Sequence, residues 1–347
     1  MIESGLIMGN CKRKILLIAT GGTIASTKTE HGLRPGISSD EILKYIPEVR
    51  EFAEVSACQI CAVDSTNMKP EIWCEIVRTI KEQYDYFDGF VIAHGTDTMA
   101  YTAAALSYLI QNSSKPIVLT GSQKPIEYKE TDGARNLLDA FIYAADEKSQ
   151  DVSIVFDGKV IAGTRAKKVR SKSFNAFDSI DYPFIAIIQG GQIMRYLPTI
   201  EFERQVTFYE NVDDKVYLMK LIPGMKVHDM ESIFKYYDAI IVESFGVGGI
   251  PDTISEDFYR LVEKYPSTLI IMSTQVSHEG SDMTVYEVGQ RIKADCHFLE
   301  SYDMTLEAVI AKTMWILANT DDKNAREELF YKHINYDLIF GKNREAR

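Results

Sequence analysis

Residues 89–110 read Gly89-Phe-Val-Ile-Ala-His-Gly-Thr-Asp-Thr-Met-Ala-Tyr-Thr-Ala-Ala-Ala-Leu-Ser-Tyr-Leu-Ile110, and this stretch decides the fold class. Its first five residues are apolar or small at every position, which predicts a strand buried on both faces. A turn rich in hydroxyl groups follows. After the turn, Leu106, Leu109 and Ile110 share one face at helical spacing. The stretch therefore predicts one strand–turn–helix unit of a parallel α/β sheet.

The same alternation continues through the first two thirds of the chain. Strands are predicted at Lys14–Ala19, Gln59–Val63, Gly89–Ala93, Pro116–Leu119, Val152–Phe156 and Phe184–Ile188. Helices are predicted at Glu71–Gln83, Met99–Ile110 and Asp132–Ala145. Because continuously apolar strands that alternate with helices are typical of a sheet covered on both faces, we predict a large N-terminal domain with a mostly parallel sheet over residues 1–195.

The pattern changes near residue 196. Residues 196–214 are polar and weakly periodic, which predicts a linker. A smaller C-terminal α/β domain is predicted over residues 215–347. Its predicted strands and long helix are Val216–Leu221, Ala239–Glu243, Thr268–Met272 and Leu306–Ala318. At roughly 100–200 residues per domain, a chain of 347 residues accommodates two domains.

Composition excludes several classes of function. The chain has 38 Lys and Arg against 50 Asp and Glu, a formal net charge of −12. A phosphate-backbone binder needs the opposite balance, so we expect no nucleic-acid partner. We also expect no membrane partner, because anionic surfaces attract basic segments and no apolar run approaches the ~18 residues of a span. The apolar run at residues 15–19 is too short for a signal peptide, and we expect a cytoplasmic protein.

The five cysteines suit a reducing compartment, since an odd number in a large chain does not suggest a disulfide framework. Cys58 and Cys61 form a C-x-x-C. In an extended run, however, positions i and i+3 point to opposite faces, and no second Cys or His pair completes a zinc site. We expect no metal.

Four predicted strands lead directly into turns that carry small and hydroxyl-bearing residues. The turns are Thr20-Gly-Gly-Thr23, Asp64-Ser-Thr-Asn67, His94-Gly-Thr-Asp-Thr98 and Thr120-Gly-Ser122. Ligands bind at the carboxyl edge of a parallel sheet, so the four turns are expected to converge there. The plainer interpretation is that each turn only supplies the N-cap of the next helix. Four such turns together favour a binding site.

The motifs exclude nucleotide cofactors. No Gly-Lys-Ser/Thr follows Gly21-Gly22, so there is no P-loop, and Pro251 stands where a G-x-G-x-x-G needs its third glycine. We therefore expect no cofactor. Glycines at a strand end instead let backbone N–H groups approach a carboxylate or an oxyanion.

A threonine hydroxyl is a weak nucleophile and needs a base. His94 is one candidate, but its place inside a strand–turn junction favours a structural histidine. A carboxylate beside a lysine is the other available system. Asp97 follows Thr96 directly, and basic residues occur in the run Gly163-Thr-Arg-Ala-Lys-Lys-Val-Arg170.

These segments resemble a known family. Thr20-Gly-Gly-Thr-Ile-Ala25, His94-Gly-Thr-Asp-Thr98 and the two-domain layout are similar to bacterial L-asparaginases, especially the cytoplasmic type I branch. The intervening Pro116-Ile-Val-Leu-Thr-Gly-Ser-Gln123 and Phe174-Asn-Ala-Phe177 agree as well. The likeness extends from about residue 13 to the C-terminal helix.

The resemblance implies roles for individual residues. Thr23 would attack the side-chain amide carbon of L-asparagine, and the acyl–Thr23 ester would be hydrolysed to L-aspartate after ammonia has left. Thr96, Asp97 and Lys168 would order a water and relay protons. Ungapped alignment from Gly163 onward selects Lys168 rather than its neighbour as the family lysine.

The resemblance also implies a binding site for the substrate. Ser65 would hold the α-carboxylate with Thr66 beside it, and Asp97 would receive the α-ammonium. Gly22 and the backbone amide of Thr96 would line the site, the latter as part of an oxyanion hole.

The chain departs from the family pattern at the flap that follows the nucleophile. Relatives have a tyrosine a dozen or so residues after the threonine, whereas Ser26–Gly36 contains none. Tyr286, supplied by a neighbouring subunit, is the candidate replacement. Lys167 also stands where the enteric type I enzyme has a threonine, which weakens the expectation of an effector site.

The family architecture implies a homodimer or homotetramer, because the active sites lie between subunits. Two other functions stay open on the sequence alone. One is the ammonia-supplying subunit of a tRNA-dependent amidotransferase, whose chains carry an extra N-terminal domain. The other is an amino-acid sensor that retains the pocket without the chemistry.

Overall fold

The structure is a computed structural model that describes residues 12–29, 32–199, 205–283 and 298–339. The strands are β1 (Arg13–Gly21), β2 (Ser26–Thr29), β3 (Gly32–Pro35), β4 (Ala53–Val63), β5 (Gly89–Ala93), β6 (Ile110–Gln111), β7 (Pro116–Thr120), β8 (Asp151–Phe156), β9 (Lys159–Ala162), β10 (Ala166–Lys168), β11 (Phe177–Ser179), β12 (Ala186–Gln189), β13 (Gln192–Arg195), β14 (Thr207–Phe208), β15 (Val216–Lys220), β16 (Ala239–Ser244), β17 (Leu269–Thr274) and β18 (Leu299–Glu300). The helices are α1 (Ser39–Ile42), α2 (Val49–Phe52), α3 (Pro70–Gln83), α4 (Met99–Leu109), α5 (Gly133–Ala145), α6 (Met230–Tyr236), α7 (Asp252–Lys264), α8 (Leu306–Asn319) and α9 (Lys323–Tyr331).

An eight-stranded sheet organises the first part of the chain, in the order β13-β12-β9-β8-β7-β5-β1-β4. From β8 to β4 the neighbouring strands are parallel, whereas β9, β12 and β13 are antiparallel. The predicted mostly parallel sheet is confirmed, and β5 spans the predicted residues. The boundaries differ most at β4, which begins at Ala53 rather than Gln59. In addition, β1 extends to Gly21 rather than Ala19, and β12 begins at Ala186 rather than Phe184.

Apolar side chains explain why the central strands and helices form where they do. All five residues of β5 are buried, as the uninterrupted apolar run predicts. Helix α3 starts with Pro70 at its first turn and buries one stripe that includes Trp73, Ile76 and Ile80. Helix α4 is buried almost all round because it lies between the sheet and α8.

A second, four-stranded sheet lies in the C-terminal part, in the order β15-β16-β17-β18, with all neighbouring strands parallel. The sequence analysis identified α8 but not α6, α7 or α9. Helix α7 buries Ile254, Phe258 and Leu261 at positions i, i+4 and i+7, a periodic signal that was available in the sequence.

The segment predicted as a linker packs against both parts of the protein. Its residues Thr207–Phe208 pair with Ile110–Gln111. The Phe208 ring lies 5.4 Å from Tyr84, and the neighbouring Tyr209 ring lies 5.3 Å from Trp315 of α8. Aromatic anchors of this kind bury more surface than the polar composition suggests.

Cys58 and Cys61 both lie on β4 as free thiols. Burial raises the pKa of each of them, which keeps the unreactive thiol form. Within the described ranges, no helix combines the length and the hydropathy that crossing a membrane requires.

Candidate active site

The turn after β1 touches the turn after β5 backbone to backbone. Gly22 has φ +79°, and a Cβ at this position would lie 2.3 Å from the backbone nitrogen of Gly95. The Gly22 N–H donates to the Val63 carbonyl at 3.0 Å, which ties the same turn to the end of β4. Only glycine fits this contact, because any side chain would collide with the neighbouring backbone.

The turns after β4 and β7 join the same contact. A Cβ on Gly95 would lie 2.7 Å from the Ser65 hydroxyl, and a Cβ on Gly121 would lie 2.3 Å from the His94 carbonyl. The backbone N–H of Asp97 donates to Ser65 Oγ at 3.3 Å. All four turns that follow parallel strands therefore meet at one edge of the sheet, and the predicted convergence is confirmed.

Lys168 reaches this edge from the β10–β11 hairpin, which lies outside the eight-stranded sheet. Its Nζ donates to Thr96 Oγ1 at 2.7 Å and to Asp97 Oδ1 at 2.6 Å. The Lys168 side chain is 17% exposed and that of Asp97 is 56% exposed, whereas Thr96 is buried. The ammonium is therefore held between a buried hydroxyl and a carboxylate that is open to solvent. We call Thr96, Asp97 and Lys168 the relay cluster.

Gln123 extends the relay cluster, and the sequence analysis missed it. The Thr96 hydroxyl donates to Gln123 Oε1 at 3.1 Å. The Gln123 amide nitrogen donates to the Ser173 carbonyl at 3.2 Å, and its backbone N–H is held by Asp132. Gln123 thus orients the Thr96 hydroxyl with a lone pair toward Lys168. It directly follows the predicted Thr120–Ser122 turn, so its position was the available signal.

His94 is a structural histidine, as the sequence analysis interpreted it. Its Nδ1 lies 2.6 Å from the Gly95 carbonyl, and its Nε2 lies 2.9 Å from the hydroxyl of Thr102, which accepts from Trp73. Since a carbonyl only accepts, Nδ1 carries the proton and Nε2 accepts from the threonine. Burial lowers the pKa of His94 to about 4. The imidazole is therefore neutral and fully bonded at neutral pH.

Comparison with known proteins identifies the family. Residues 14–200 match the family model described as Asparaginase, N-terminal, and residues 215–330 match the Glutaminase/Asparaginase C-terminal domain. The chain belongs to the asparaginase/glutaminase family.

Relatives from three organisms illustrate the similarity. An L-asparaginase from Thermococcus kodakarensis is 38% identical over 92% of this chain and 98% of its own length. The solved structure of the thermostable L-asparaginase from that organism has a TM-score of 0.88 at 36% identity, covering 94% of this chain and 100% of that one. A glutamyl-tRNA(Gln) amidotransferase chain from Metallosphaera sedula is 32% identical over 89% of this chain and 73% of its own length. A probable cytoplasmic L-asparaginase from Campylobacter jejuni has a TM-score of 0.80 at 25% identity, covering 93% and 100% of the two chains.

The remaining site residues implied by the family resemblance lie at different places. Thr23 directly follows Gly22 at the shared edge, is itself half-buried and opens a short 3₁₀ turn whose other residues, Ile24 and Ala25, are buried. Thr66 lies on the exposed side of its turn, where its hydroxyl donates to Asp64 Oδ1 at 2.8 Å, and it is not part of the relay cluster. Tyr286 lies outside the described residues.

The buried imidazole makes stability depend on pH. The folded-state pKa of His94 is about 4 against an ordinary 6.5. Well above pH 6.5 the His94 imidazole is neutral in both the folded and the unfolded chain, so it does not make the free energy of unfolding depend on pH. Between 6.5 and 4 the unfolded chain binds a proton that the folded chain excludes, so the free energy of unfolding is expected to fall by about 3 kcal/mol. Urea unfolding of the wild type and of His94→Gln across this range isolates the contribution as a difference. A pH-independent difference would contradict it.

Proposed function

We propose that this chain hydrolyses L-asparagine to L-aspartate and ammonia through an acyl ester on Thr23. The observation that carries the proposal is the contact of Lys168 with Thr96 and Asp97, at 2.7 Å and 2.6 Å, beside the Gly22–Thr23 turn. The similarity of the chain to an archaeal L-asparaginase over almost the full length of that enzyme supports the choice of substrate.

Substrate binding is proposed to use the open side of the cluster. The exposed carboxylate of Asp97 is suited to the α-ammonium of an amino acid, since the two groups carry opposite charges. Ser65 lies next to it with its hydroxyl near the Asp97 backbone N–H, and is suited to the α-carboxylate. Thr66 and Gly22 would border the same end. An amino acid bound in this way directs its side chain toward the glycine turn.

In the acylation step, we propose that Thr23 Oγ1 forms a bond to the amide carbon and that the carbon–nitrogen bond breaks. The hydroxyl proton of Thr23 ends on the departing ammonia. The negative charge that develops on the amide oxygen needs fixed donors, and the backbone N–H of Thr96 is proposed as one of them. Because Gly22 has no Cβ, this turn can lie directly against the Gly95 backbone.

In the deacylation step, a water oxygen forms a bond to the acyl carbon, the bond between that carbon and Thr23 Oγ1 breaks, and a proton from the water ends on Thr23 Oγ1. We propose that Thr96 orients this water. Lys168 donates to the Thr96 oxygen and Gln123 accepts the Thr96 hydrogen, so the hydroxyl is fixed in direction. The second lone pair of Thr96 Oγ1 can then accept a hydrogen bond from the water, with the Lys168 ammonium and the Asp97 carboxylate beside it to assist proton transfer.

Tyr286 is proposed to assist Thr23 in place of the flap tyrosine, supplied by a neighbouring subunit. Replacing it by phenylalanine is expected to lower kcat about tenfold or more by removing only the phenol oxygen. Steady-state ammonia release measures the effect, with the oligomeric state checked in parallel. An unchanged kcat would assign the activation of Thr23 to another group.

The proposed function is tested by ammonia release from L-asparagine and L-glutamine over a wide concentration range. Aspartate and ammonia in equal amounts from L-asparagine are expected. Turnover only after addition of a partner protein would instead indicate an ammonia-supplying component of an amidotransferase, which the 32% identity to the Metallosphaera chain makes the second candidate. Calorimetric binding without any product would indicate a sensor.

We further propose that the protein is of the type I branch, is cytoplasmic and acts as a homodimer or homotetramer, with no nucleic-acid or membrane partner. The similarity to the Campylobacter protein, described as a probable cytoplasmic L-asparaginase, supports the location. The net charge of −12 supports the absence of anionic partners. Sedimentation equilibrium with and without added DNA or anionic vesicles tests the assembly and the partners.

A further inference from the structure

Arg165 lies three residues before Lys168, at the start of the short strand that carries it. Its side chain is fully buried. The guanidinium donates from Nη1 to the Asp303 carbonyl and from Nη2 to Asp303 Oδ2, both at 2.8 Å, and from Nε to the Tyr336 carbonyl at 2.5 Å. One side chain therefore binds two segments from the C-terminal part of the protein.

The residue next to Arg165 strengthens the same junction. The Thr164 hydroxyl donates to the Asn335 carbonyl at 2.5 Å, and the Thr164 carbonyl accepts from the Thr305 hydroxyl at 2.9 Å. Asp303 also accepts from the backbone N–H of Ile339. Residues 303–305 and 335–339 thus hold the peptide that enters β10.

β10 is a short strand. In the part of the chain that the structure describes, it has three residues and pairs with β11 in a separate two-stranded sheet, with Lys168 opposite Phe177. Phe177 is anchored by its ring, 5.0 Å from Phe156. The partner strand is therefore fixed by packing. The start of β10 is held by the Arg165 guanidinium, by the two Thr164 bonds and by the bond from the Ile180 N–H to the Arg165 carbonyl at 2.9 Å.

A buried ion pair is a costly way to join two segments, because desolvation offsets much of the attraction. Apolar residues of similar volume would join them at least as well. The planar guanidinium additionally fixes the orientation of the segments that it binds, because its donors bind only acceptors in a fixed geometry. The arrangement is therefore better explained by a need for accurate placement than by a need for stability.

We propose that Arg165 is a positioning residue that fixes the place of the Lys168 ammonium relative to Thr96. Through Arg165, residues 303–305 and 335–339 keep this ammonium within hydrogen-bond distance of the Thr96 hydroxyl. The inference rests on the proposed function of the relay cluster. An error of about 1 Å in the place of such a group costs on the order of a hundredfold in rate. Ser65 lies on another turn and is linked to β10 only indirectly, through the Asp97 backbone N–H that its hydroxyl accepts at 3.3 Å.

Three substitutions test the inference. Arg165→Lys keeps the charge but loses the planar donors, and Asp303→Asn keeps an acceptor oxygen but loses the charge. Both are expected to lower kcat about tenfold, to change KM by a smaller factor through the Asp97 carboxylate that Lys168 contacts, and to move the pH at which kcat is half-maximal. Arg165→Met is expected to lose about a hundredfold in kcat, with Arg165→Lys recovering part of it.

Arg326 supplies a matched control, since its guanidinium is also buried and also binds a backbone carbonyl. It donates from Nε to the Thr320 carbonyl at 2.9 Å and from Nη2 to Asp321 Oδ1 at 3.1 Å, and these partners belong neither to β10 nor to residues 303–305 and 335–339. Arg326→Lys is expected to lower stability while kcat per folded molecule stays within about twofold. Similar losses of kcat per folded molecule in Arg326→Lys and Arg165→Lys, with the pH profile unmoved, would overturn the inference.

A chemical readout separates this inference from the proposed function. Acetic anhydride acetylates free lysine amines, and mass spectrometry compares Lys168 with the exposed Lys220. In Arg165→Lys the relative acetylation of Lys168 is expected to rise severalfold, because the amine leaves Thr96 and Asp97. A wild type without asparaginase activity would refute the proposed function alone. An unchanged acetylation ratio would refute the role of Arg165.

Discussion

Replacing Thr23 with valine is expected to lower ammonia release from L-asparagine by at least about ten-thousandfold while the protein stays folded. Valine has nearly the same volume as threonine but no hydroxyl, so no acyl ester can form. The turn itself depends on backbone bonds, from Gly22 to the Val63 carbonyl at 3.0 Å and from Ala25 to the Gly22 carbonyl at 3.2 Å. Circular dichroism and thermal melting are therefore expected to match the wild type.

Thr23→Ser is the matched control for this substitution. Serine keeps the hydroxyl and loses a methyl group, so a fraction of the activity well above that of the valine variant is expected. Thr96→Val separates the two threonines of the site. If Thr23→Val retains more than about 1% of the wild-type kcat while Thr96→Val does not, the nucleophile is Thr96 and the assignment of Thr23 is wrong.

The convergence of the turns was predictable because it follows from topology alone. Ser65 and Thr96 are about thirty residues apart in sequence, yet both follow parallel strands, and parallel strands end at a common edge. The contact between Gly22 and Gly95 could not be predicted from the sequence pattern. A pair of glycines indicates some close approach but does not identify the backbone that approaches.

The place of Lys168 at the site could not be predicted from the sequence pattern. It lies on a three-residue strand outside the main sheet, so the edge rule does not apply to it. The residue spacing does not indicate whether Lys167 or Lys168 reaches Thr96 and Asp97. The choice of Lys168 came from the family resemblance alone. Arg165 was not singled out, because its partners are more than 130 residues away and are mostly backbone carbonyls.

The C-terminal part was harder to predict for a physical reason. Its helix α6 has only seven residues, too short for a clear period, and it depends on Asp229, which accepts from the Ser232 backbone N–H at 3.2 Å. The linker prediction followed polar composition and overlooked Phe208 and Tyr209. Two aromatic rings help to anchor this segment, and Val206 and Val212 pack against the same core.

Replacing Lys168 with methionine is expected to lower kcat about a thousandfold, with KM changed by no more than a few fold. Methionine fills the space of the aliphatic stem but leaves Thr96 Oγ1 without the donor at 2.7 Å and Asp97 without its ion pair at 2.6 Å. The loss is expected in kcat because Lys168 is proposed to act in proton transfer during the reaction. Steady-state kinetics over pH measure both parameters.

Lys167→Met is the matched control, since it removes the same charge one residue away. Adjacent residues of a strand point to opposite faces. On its own face Lys167 lies near Glu307, where burial raises the pKa of the carboxyl and the charge of Lys167 partly lowers it. A kcat within about twofold of wild type is expected for this variant.

The double variant Lys168→Met/Thr96→Val is expected to be hardly slower than Lys168→Met, because the effects of residues that act as a unit are not additive. Additive losses, or a larger loss at Lys167 than at Lys168, would mean that the ammonium serves another group and that the relay must be reassigned.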